Sequence, residues 1–392
     1  MPLEQHRYQF LDQFESDIDI GHHMIGSGLL AASTSTRGRD RVNPRASESR
    51  YNRMSVEQSG PSRRALLGAA ALLPLLPLVG RKAEASATAP KSAQDYYDRA
   101  ARLAGNDPVL LALVDALAPD YVMPPVEAPE PLRIFDNVAV VSTGFVSATA
   151  LLTSQGVILI DALGSPDDAE KIIVPQLSSV GVDPSKIKYV VAAHGHWDHF
   201  GGAQYFADQY GARVMMGPAD WDLIAADPPA NAPNRDLEIS DGQRLTLGDT
   251  TVAFHHTPGH TPGTVSSIFP VRWKGRRHTA MLLGGTNPPA ATADKRAHLS
   301  SVLAFASRMR QAGVDVELNN HGTCDHGLKR MEELRSGSAE PGNPFTIGQS
   351  RAQRFMNVME TMLRGRIASD QEAHTATPPV AASPVQSTRT CC

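Results

Sequence analysis

The chain has 392 residues, of which 41% are hydrophobic and 20% are charged. This composition supports a substantial core, in one large domain with tails or in roughly two or three domains. A formal net charge of -4 gives no general reason to bind nucleic acid or an anionic membrane. The three cysteines are too few for a disulfide framework, and Cys391 and Cys392 end the chain. Any zinc site would therefore depend on nitrogen and oxygen ligands.

Residues 54–87 have the composition of an export signal. A basic front with Arg63 and Arg64 precedes an apolar run over 65–80 and a small-residue stretch over 83–89. The run is shorter than the ~20 apolar residues of a membrane-spanning helix, and two prolines interrupt it. Paired arginines are typical of the twin-arginine route, which predicts a periplasmic protein with no stable membrane span after cleavage. An uncleaved N-terminal anchor is the alternative.

Residues 1–53 precede this signal and have no periodic apolar pattern, so we expect no packed structure there. Export signals lie at the N terminus of a precursor. The position of this one predicts that translation begins at Met54 and that residues 1–53 are a non-native upstream extension.

Residues 88–132 are predicted to form an N-terminal helical extension and linker. Amphipathic patterns indicate helices at Tyr96–Leu103 and Pro108–Leu117, and a Pro-rich connector follows over 119–131. At the other end, residues 367–392 contain mainly Ala, Pro, Thr and Ser, which predicts a flexible tail.

Residues 133–366 are predicted to be the catalytic domain, with two runs of strands that are each followed by helices. The first run has strands at 133–135, 138–141, 149–152, 157–160, 189–193 and 213–216, with helices at 165–181, 203–210 and 220–226. The second has strands at 244–247, 251–255, 265–269, 280–283 and 314–318, with helices at 297–311, 328–334 and 351–363. This doubling predicts an α/β fold of αββα sandwich type, with two packed mixed β-sheets and helices on the outer faces.

Three imidazoles and one carboxylate lie within six consecutive residues after the predicted strand at 189–193. They are His194, His196, Asp198 and His199. Neutral imidazole and carboxylate suit zinc. Alternate loop residues can turn inward together, so His194 and His196 can share one ion while Asp198 and His199 serve a second. The alternative is a His-rich surface loop without metal, which has no need for this spacing.

Two further histidines lie at predicted strand ends. His260 lies in a turn over 257–263 with two prolines and two glycines, and His321 follows the strand at 314–318. We predict one zinc on His194, His196 and His260, and a second on Asp198, His199 and His321. Three protein ligands per ion leave positions open for water and substrate, as in catalytic zinc sites.

Other polar residues receive supporting roles. His326 is the competing candidate for His321, and His255 and His256 are predicted to be structural or to support the ligands. Asp161 ends the strand at 157–160 and is predicted to brace the His loop, since carboxylates outside a metal's ligand set commonly orient its ligands.

The spacing His194-x-His196-x-Asp198-His199, the turn around His260 and the late His321 resemble the metallo-β-lactamase fold superfamily. Since no metal-binding cysteine accompanies Asp198 and His199, the set resembles subclass B3 metallo-β-lactamases. The resemblance implies two zinc ions per chain, a small-molecule substrate and a metal-bound hydroxide that opens the β-lactam amide, with Asp198 handling the proton. Another amide, lactone or ester is the alternative substrate, and a non-enzymatic zinc-binding relative is a remote alternative.

The stretch Gly284-Gly285-Thr286-Asn287 departs from related patterns. Thioesterases of the glyoxalase II type and many lactonases have a metal-bridging aspartate at this place, whereas B3 enzymes lack it. B3 enzymes usually have serines there that contact the substrate carboxylate, so Thr286 and Asn287 are the corresponding substrate-binding candidates. The sequence leaves open the oligomeric state and whether Cys324 pairs with a terminal cysteine.

Overall fold

The first run of strands forms a seven-stranded mixed sheet in the computed structural model, which describes residues 92–338 and 342–376. The strands follow one another in sequence order; β1 to β4 are antiparallel neighbours, and β4 to β7 run parallel. Their bounds are β1 Leu132–Phe135, β2 Val138–Ser142, β3 Ser147–Thr153, β4 Gly156–Ile160, β5 Ile187–Val191, β6 Arg213–Met216 and β7 Leu237–Glu238. The apolar runs of β2 and β4 suit strands that are covered on both faces.

The second run forms a five-stranded sheet in the order β12-β11-β10-β9-β8. Only β11 and β12 pair in parallel; the other pairs are antiparallel. The bounds are β8 Arg244–Leu247, β9 Thr250–His256, β10 Val265–Trp273, β11 Arg276–Leu283 and β12 Val316–Asn319.

The described helices flank the two sheets. Their bounds are α1 Ala93–Ala104, α2 Pro108–Ala116, α3 Pro166–Asp168, α4 Val174–Ser179, α5 Trp197–Phe200, α6 Ala203–Tyr210, α7 Pro218–Ala226, α8 Thr292–Ala312, α9 Gly327–Ser336 and α10 Gln349–Ala376. A π-helical segment, Ala169–Ile173, joins α3 to α4. In residues 92–338 and 342–376, no helix combines the length and apolar character that crossing a membrane requires.

Side chains that alternate between the two faces of β4 explain how the sheets and helices pack in layers. Ile158 and Ile160 pack with Phe254 and Leu282 between the two sheets. Leu159 points to the opposite face, where the core includes residues of α6 and α7. Because successive side chains of a strand face opposite sides, one short sequence supplies two cores. A third core joins the outer face of the second sheet to α1, α2, α8 and α10. The predicted αββα sandwich is confirmed.

The prediction of a flexible tail from residue 367 is wrong as far as Ala376, because α10 continues to that residue. The Tyr97 hydroxyl and Ser369 Oγ are 2.9 Å apart, Lys295 Nζ is 2.9 Å from the Asp370 carboxylate, and the Ala93 N–H donates to Glu372 Oε1 at 2.8 Å. These contacts with α1 and α8 stabilise a segment whose composition alone gives no helix signal. Residues 377–392, and the predicted segments over 1–53 and 54–87, lie outside the described residues.

A buried ionic cluster joins β12 to α9. Arg330 Nη2 donates to Glu317 Oε2 at 2.7 Å and also pairs with Asp325, and its guanidinium lies 4.5 Å from the Phe345 ring centroid. Burial, and then the neighbouring Asp325 carboxylate, raise the pKa of Glu317 to about 8, although the Arg330 charge opposes this shift. The cluster fixes the loop between β12 and α9, which carries His321.

Glu317→Gln should reduce the pH dependence of stability in the metal-free protein. Because folding raises the pKa of Glu317, the folded state keeps a proton that the unfolded chain releases above its ordinary pKa of 4.5. The stabilising contribution is complete below pH 4.5 and is lost as pH rises to about 8. Urea unfolding at several pH values checks this: the wild-type free energy of unfolding should fall more steeply over this window than that of the variant. Parallel curves would contradict it.

Candidate metal centre

The first cluster consists of His194, His196 and His260, whose ring nitrogens lie within 4.8 Å of one another. His194 and His196 follow β5 on the loop before α5, and His260 lies in the turn between β9 and β10. His194 Nε2 is 3.0 Å from His196 Nδ1 and 3.1 Å from His260 Nε2. Tetrahedral zinc with nitrogen ligands at ~2.0–2.1 Å separates them by about 3.3 Å. The three nitrogens therefore have nearly the spacing that one ion requires.

Hydrogen bonds at the opposite ring nitrogens orient two of these imidazoles. His194 Nδ1 donates to the Gly284 carbonyl at 2.7 Å, and His260 Nδ1 donates to the Asn287 carbonyl at 2.8 Å. Each bond places the proton on Nδ1 and leaves the Nε2 lone pair directed into the cluster. Burial, followed by the neighbouring imidazoles, lowers the pKa of His194 and His260 well below 6.5, so both rings are neutral, as a metal ligand must be.

The second cluster consists of Asp198, His199 and His321. Asp198 and His199 lie in α5, and His321 follows β12. Asp198 Oδ2 is 3.2 Å from His199 Nε2 and 3.6 Å from His321 Nε2. The two clusters adjoin, since the His194 and His199 ring centroids are only 3.8 Å apart. One centre therefore gathers all six predicted ligands; His194, Asp198 and His199 are buried, His260 and His321 are half-buried, and His196 is exposed.

His199 tests the fit of a metal to this cluster. Its Nδ1 donates to Asp161 Oδ2 at 2.8 Å, whereas its buried Nε2 lies 3.2 Å from Asp198 Oδ2 and has no better-aligned partner among the described residues. Burial opposes the charged ring, but the charges and hydrogen bonds of Asp198 and Asp161 outweigh burial and raise the pKa of His199 to about 10. A metal cation at Nε2 would take the place of the proton on this atom and balance the two carboxylates. The imidazole and carboxylate donors fit zinc.

Asp161 occupies the bracing position that the sequence predicts. Its Oδ1 accepts the Ala193 N–H at 2.8 Å, and its Oδ2 accepts from His199 and from Asn320 Nδ2. The residue has a φ of 62°, in the left-handed region that aspartate tolerates better than most residues. The carboxylate therefore connects β4 to the His loop and to the segment after β12.

Helix α8 supports the turn that carries His260. Ser301 Oγ donates to the Pro258 carbonyl at 2.7 Å, and the buried His298 ring hydrogen-bonds the Gly285 backbone. Gly259 has a φ of 140°, and a Cβ at this position would lie 2.3 Å from His298 Cβ. Only glycine allows the turn to approach α8 this closely. Burial lowers the pKa of His298 to about 4, so its ring is neutral.

The remaining candidates lie apart from the clusters or face inward. Thr286 is buried, and its hydroxyl is 2.9 Å from Asn319 Nδ2, a geometry that does not favour substrate contact. Asn287 is exposed, and its carbonyl supports His260. His255, His256 and His326 belong to neither cluster among the described residues. His256 Nε2 donates to the Ile239 carbonyl at 2.6 Å. Cys324 is a buried free thiol.

An aromatic rim, defined here as Phe145 and Trp197, borders the second cluster and was not predicted. The two rings stack with centroids 6.4 Å apart at 14° between planes, and the side chains are 38% and 51% exposed. Phe145 also meets the His321 ring at 5.1 Å, and its carbonyl accepts from His321 Nδ1 at 2.8 Å. Sequence reasoning missed Phe145 because it lies in the β2–β3 turn, far along the chain from the His loop.

Comparisons with known proteins fit this geometry. Residues 141–272 match the family model described as the metallo-beta-lactamase superfamily. A HARLDQ-motif mutant of the metallo-β-lactamase from Cronobacter sakazakii superposes with a TM-score of 0.52 at 27% identity, covering 64% of this chain and 99% of that one. The chain has the metallo-β-lactamase fold. Native FEZ-1 metallo-β-lactamase from Legionella gormanii superposes on this fold with a TM-score of 0.55 at 23% identity, covering 65% and 100%. BJP-1 of Bradyrhizobium japonicum, a subclass B3 enzyme, gives 0.50 at 23% identity, covering 64% and 97%.

Curated sequence relatives of the chain include hydroxyacylglutathione hydrolases. A hydroxyacylglutathione hydrolase of Acidiphilium cryptum is 32% identical over 28% of this chain and 40% of its own length. The cytoplasmic hydroxyacylglutathione hydrolase of Arabidopsis thaliana is 31% identical over 32% and 43%. The chain spans less than half the length of these relatives.

Proposed function

We propose that the chain is a dinuclear zinc hydrolase that opens the amide of β-lactams in the manner of subclass B3 enzymes. The observation that carries the proposal is the pair of adjoining three-residue clusters, one of imidazoles only and one with a carboxylate. Each set leaves a zinc ion with positions open to water and substrate. Bound zinc supplies Lewis acidity, which polarises a carbonyl and lowers the pKa of water towards neutrality.

The side chains of the site have three further roles in the proposed reaction. The imidazoles of the first cluster are neutral. The ring nitrogens of His194, His196 and His260 lie close enough together to bind one ion. Asp198 is buried, and although burial opposes its charged form, the His199 charge and hydrogen bond lower its pKa below the ordinary value. It is therefore ionised at neutral pH, as a metal ligand must be, and we assign to it the handling of the proton in the reaction. The aromatic rim offers an apolar surface to the substrate and shields the second cluster from water.

Hydrolysis of another ester, lactone or amide is the second candidate, and the hydroxyacylglutathione hydrolases among the sequence relatives favour it. The segment after β11 speaks against the thioesterase form, because Gly284 to Asn287 contains no carboxylate to bridge two metals. The absence of this carboxylate agrees with the B3 pattern, whereas Thr286 and Asn287 stand where B3 enzymes usually have serines. The structure therefore supports β-lactams as substrates better than it supports thioesters.

A hydrolysis panel tests the proposal. The purified zinc-loaded protein should hydrolyse a chromogenic cephalosporin and a carbapenem faster than lactones and thioesters, and a chelator should abolish every activity. The assay is initial rate by absorbance, with and without chelator. Faster hydrolysis of a lactone or thioester would contradict the β-lactam proposal and favour hydrolysis of another ester, lactone or amide. Turnover that persists with chelator would contradict metal dependence.

Asp198→Ala is the inactive control in this panel. It should lose the second metal and lower kcat/KM by about 10²–10⁴-fold. Asp222→Asn removes an exposed carboxylate of α7 and should keep both metals and full activity. An Asp198→Ala protein that retained two zinc ions and normal turnover would refute the role of this carboxylate.

Phe145→Ala should weaken binding of substrates with an aryl side chain. Since aromatic contacts contribute about 0.5–1.5 kcal/mol, KM should rise about 2- to 10-fold for an aryl-substituted β-lactam and remain nearly constant for one with a small substituent. Steady-state kinetics on the matched pair of substrates measure this. Leu303→Ala, which truncates an exposed apolar residue of α8, is the control. Equal changes for both substrates would contradict a role of the rim in recognition.

We also infer export by the twin-arginine route from residues 54–87, which lie outside the described residues. The mature protein should begin near Ser86 or Ala87, and replacing Arg63 and Arg64 together by lysine should keep the precursor in the cytoplasm. N-terminal sequencing of the protein from separated cell fractions measures both. A native precursor that carries residues 1–53 would overturn the predicted start at Met54.

A further inference from the structure

A buried carboxylate on α7 joins the two loops of the first cluster. Asp220 Oδ2 accepts the Gly195 N–H at 2.7 Å and the Thr261 hydroxyl at 2.6 Å, while Oδ1 accepts the Gly263 N–H at 2.8 Å. Gly195 stands between His194 and His196, and Thr261 directly follows His260. One fully buried side chain therefore holds both segments that supply this cluster.

The glycines at this junction indicate that the approach of Asp220 is built into the local structure. A Cβ at Gly195 would lie 3.1 Å from both Cβ and Cγ of Asp220. A Cβ at Gly263 would lie 2.3 Å from the Asp220 backbone nitrogen. Side chains at either position would push the carboxylate away from the N–H groups that it accepts.

The partners of Asp220 differ from those of Asp161. Asp161 bonds His199 directly and reaches Asn320, which precedes His321, so both bonds of its Oδ2 serve the second cluster; its Oδ1 accepts the Ala193 N–H at the start of the His loop. Asp220 bonds backbone and hydroxyl groups beside the first cluster, and none of its described hydrogen bonds reaches the second. Since residues outside the ligand set orient the ligands, each cluster has its own buried carboxylate.

We propose that Asp220 is a positioning residue that sets the zinc affinity of the His194–His196–His260 cluster separately from that of the second cluster. The inference rests on the proposed metal-binding role but not on the substrate. Asp220→Asn puts an amide NH₂ where a carboxylate oxygen accepts, so at least one buried donor loses its partner and the two loops separate. The imidazole nitrogens then leave the spacing that one ion requires.

Zinc affinity in two single-cluster backgrounds tests this. Asp198→Ala leaves the first cluster intact, and His260→Ala leaves the second. The full-length mature protein is freed of metal and titrated with zinc in competition with a chromophoric chelator. Asp220→Asn should lower zinc affinity about 10- to 100-fold in the Asp198→Ala background and by less than about threefold in the His260→Ala background.

Each other outcome has a distinct meaning. Unchanged affinity in the Asp198→Ala background, or equal weakening in both backgrounds, would overturn the inference, since a merely structural role does not discriminate between clusters. If neither background bound zinc before Asp220 was changed, the proposed function itself would fail, and this inference with it. Asp222→Asn, two residues along α7 and 71% exposed, is the matched control and should leave both affinities unchanged.

If Asp220→Asn does not fold, Thr261→Val tests whether the hydrogen bonds of Asp220 set the zinc affinity of the first cluster. It removes one hydrogen bond to Asp220 without changing charge and should lower first-cluster zinc affinity about 2- to 10-fold. Thr257→Val is its control, because Thr257 is a buried residue of the same turn whose hydroxyl pairs with Ser266 at 2.8 Å. Equal affinities in the two threonine variants would contradict the proposal.

Discussion

The Asp161 carboxylate ties together three segments that must meet for a metal centre to form. It stands at the end of β4, accepts the Ala193 N–H that begins the His loop, and accepts from His199 and Asn320. Two of these segments belong to the first sheet and one follows the second sheet. Because a buried donor without a partner costs about 1–3 kcal/mol, these bonds make the meeting of the strand ends specific.

The two clusters differ in charge, and this difference follows from their surroundings. The first is made of imidazoles that burial keeps neutral, and its supporting atoms are carbonyl oxygens and the Asp220 carboxylate. The second contains Asp198 beside His199, with Asp161 on the far side of the same ring. Carboxylate charge is thus concentrated around the second cluster. In the proposed function, an ion held by the first cluster would polarise a carbonyl, and the second cluster would manage a proton.

The His loop was predictable from sequence because its information is local. Four candidate ligands, three imidazoles and one carboxylate, lie within six residues after an apolar strand and predict a metal site, and prolines and glycines mark the turn of His260. Asp220 was not predictable, since its partners Gly195 and Gly263 lie 25 and 43 residues away and its own sequence indicates only a helix. The same holds for Phe145 and for the end of α10, which depend on tertiary contacts. Thr286 was predicted to bind substrate because it follows a strand that ends near the site, but its hydroxyl accepts a hydrogen bond from Asn319.

Anomalous diffraction at the zinc absorption edge, from crystals of the zinc-loaded protein, tests the central claim most directly. We expect two peaks. One should lie within bonding distance of His194, His196 and His260, and the other within bonding distance of Asp198, His199 and His321. We also expect both peaks to lie in adjoining positions at the strand ends. A single peak, or peaks coordinated by other residues, would contradict the two-cluster metal centre.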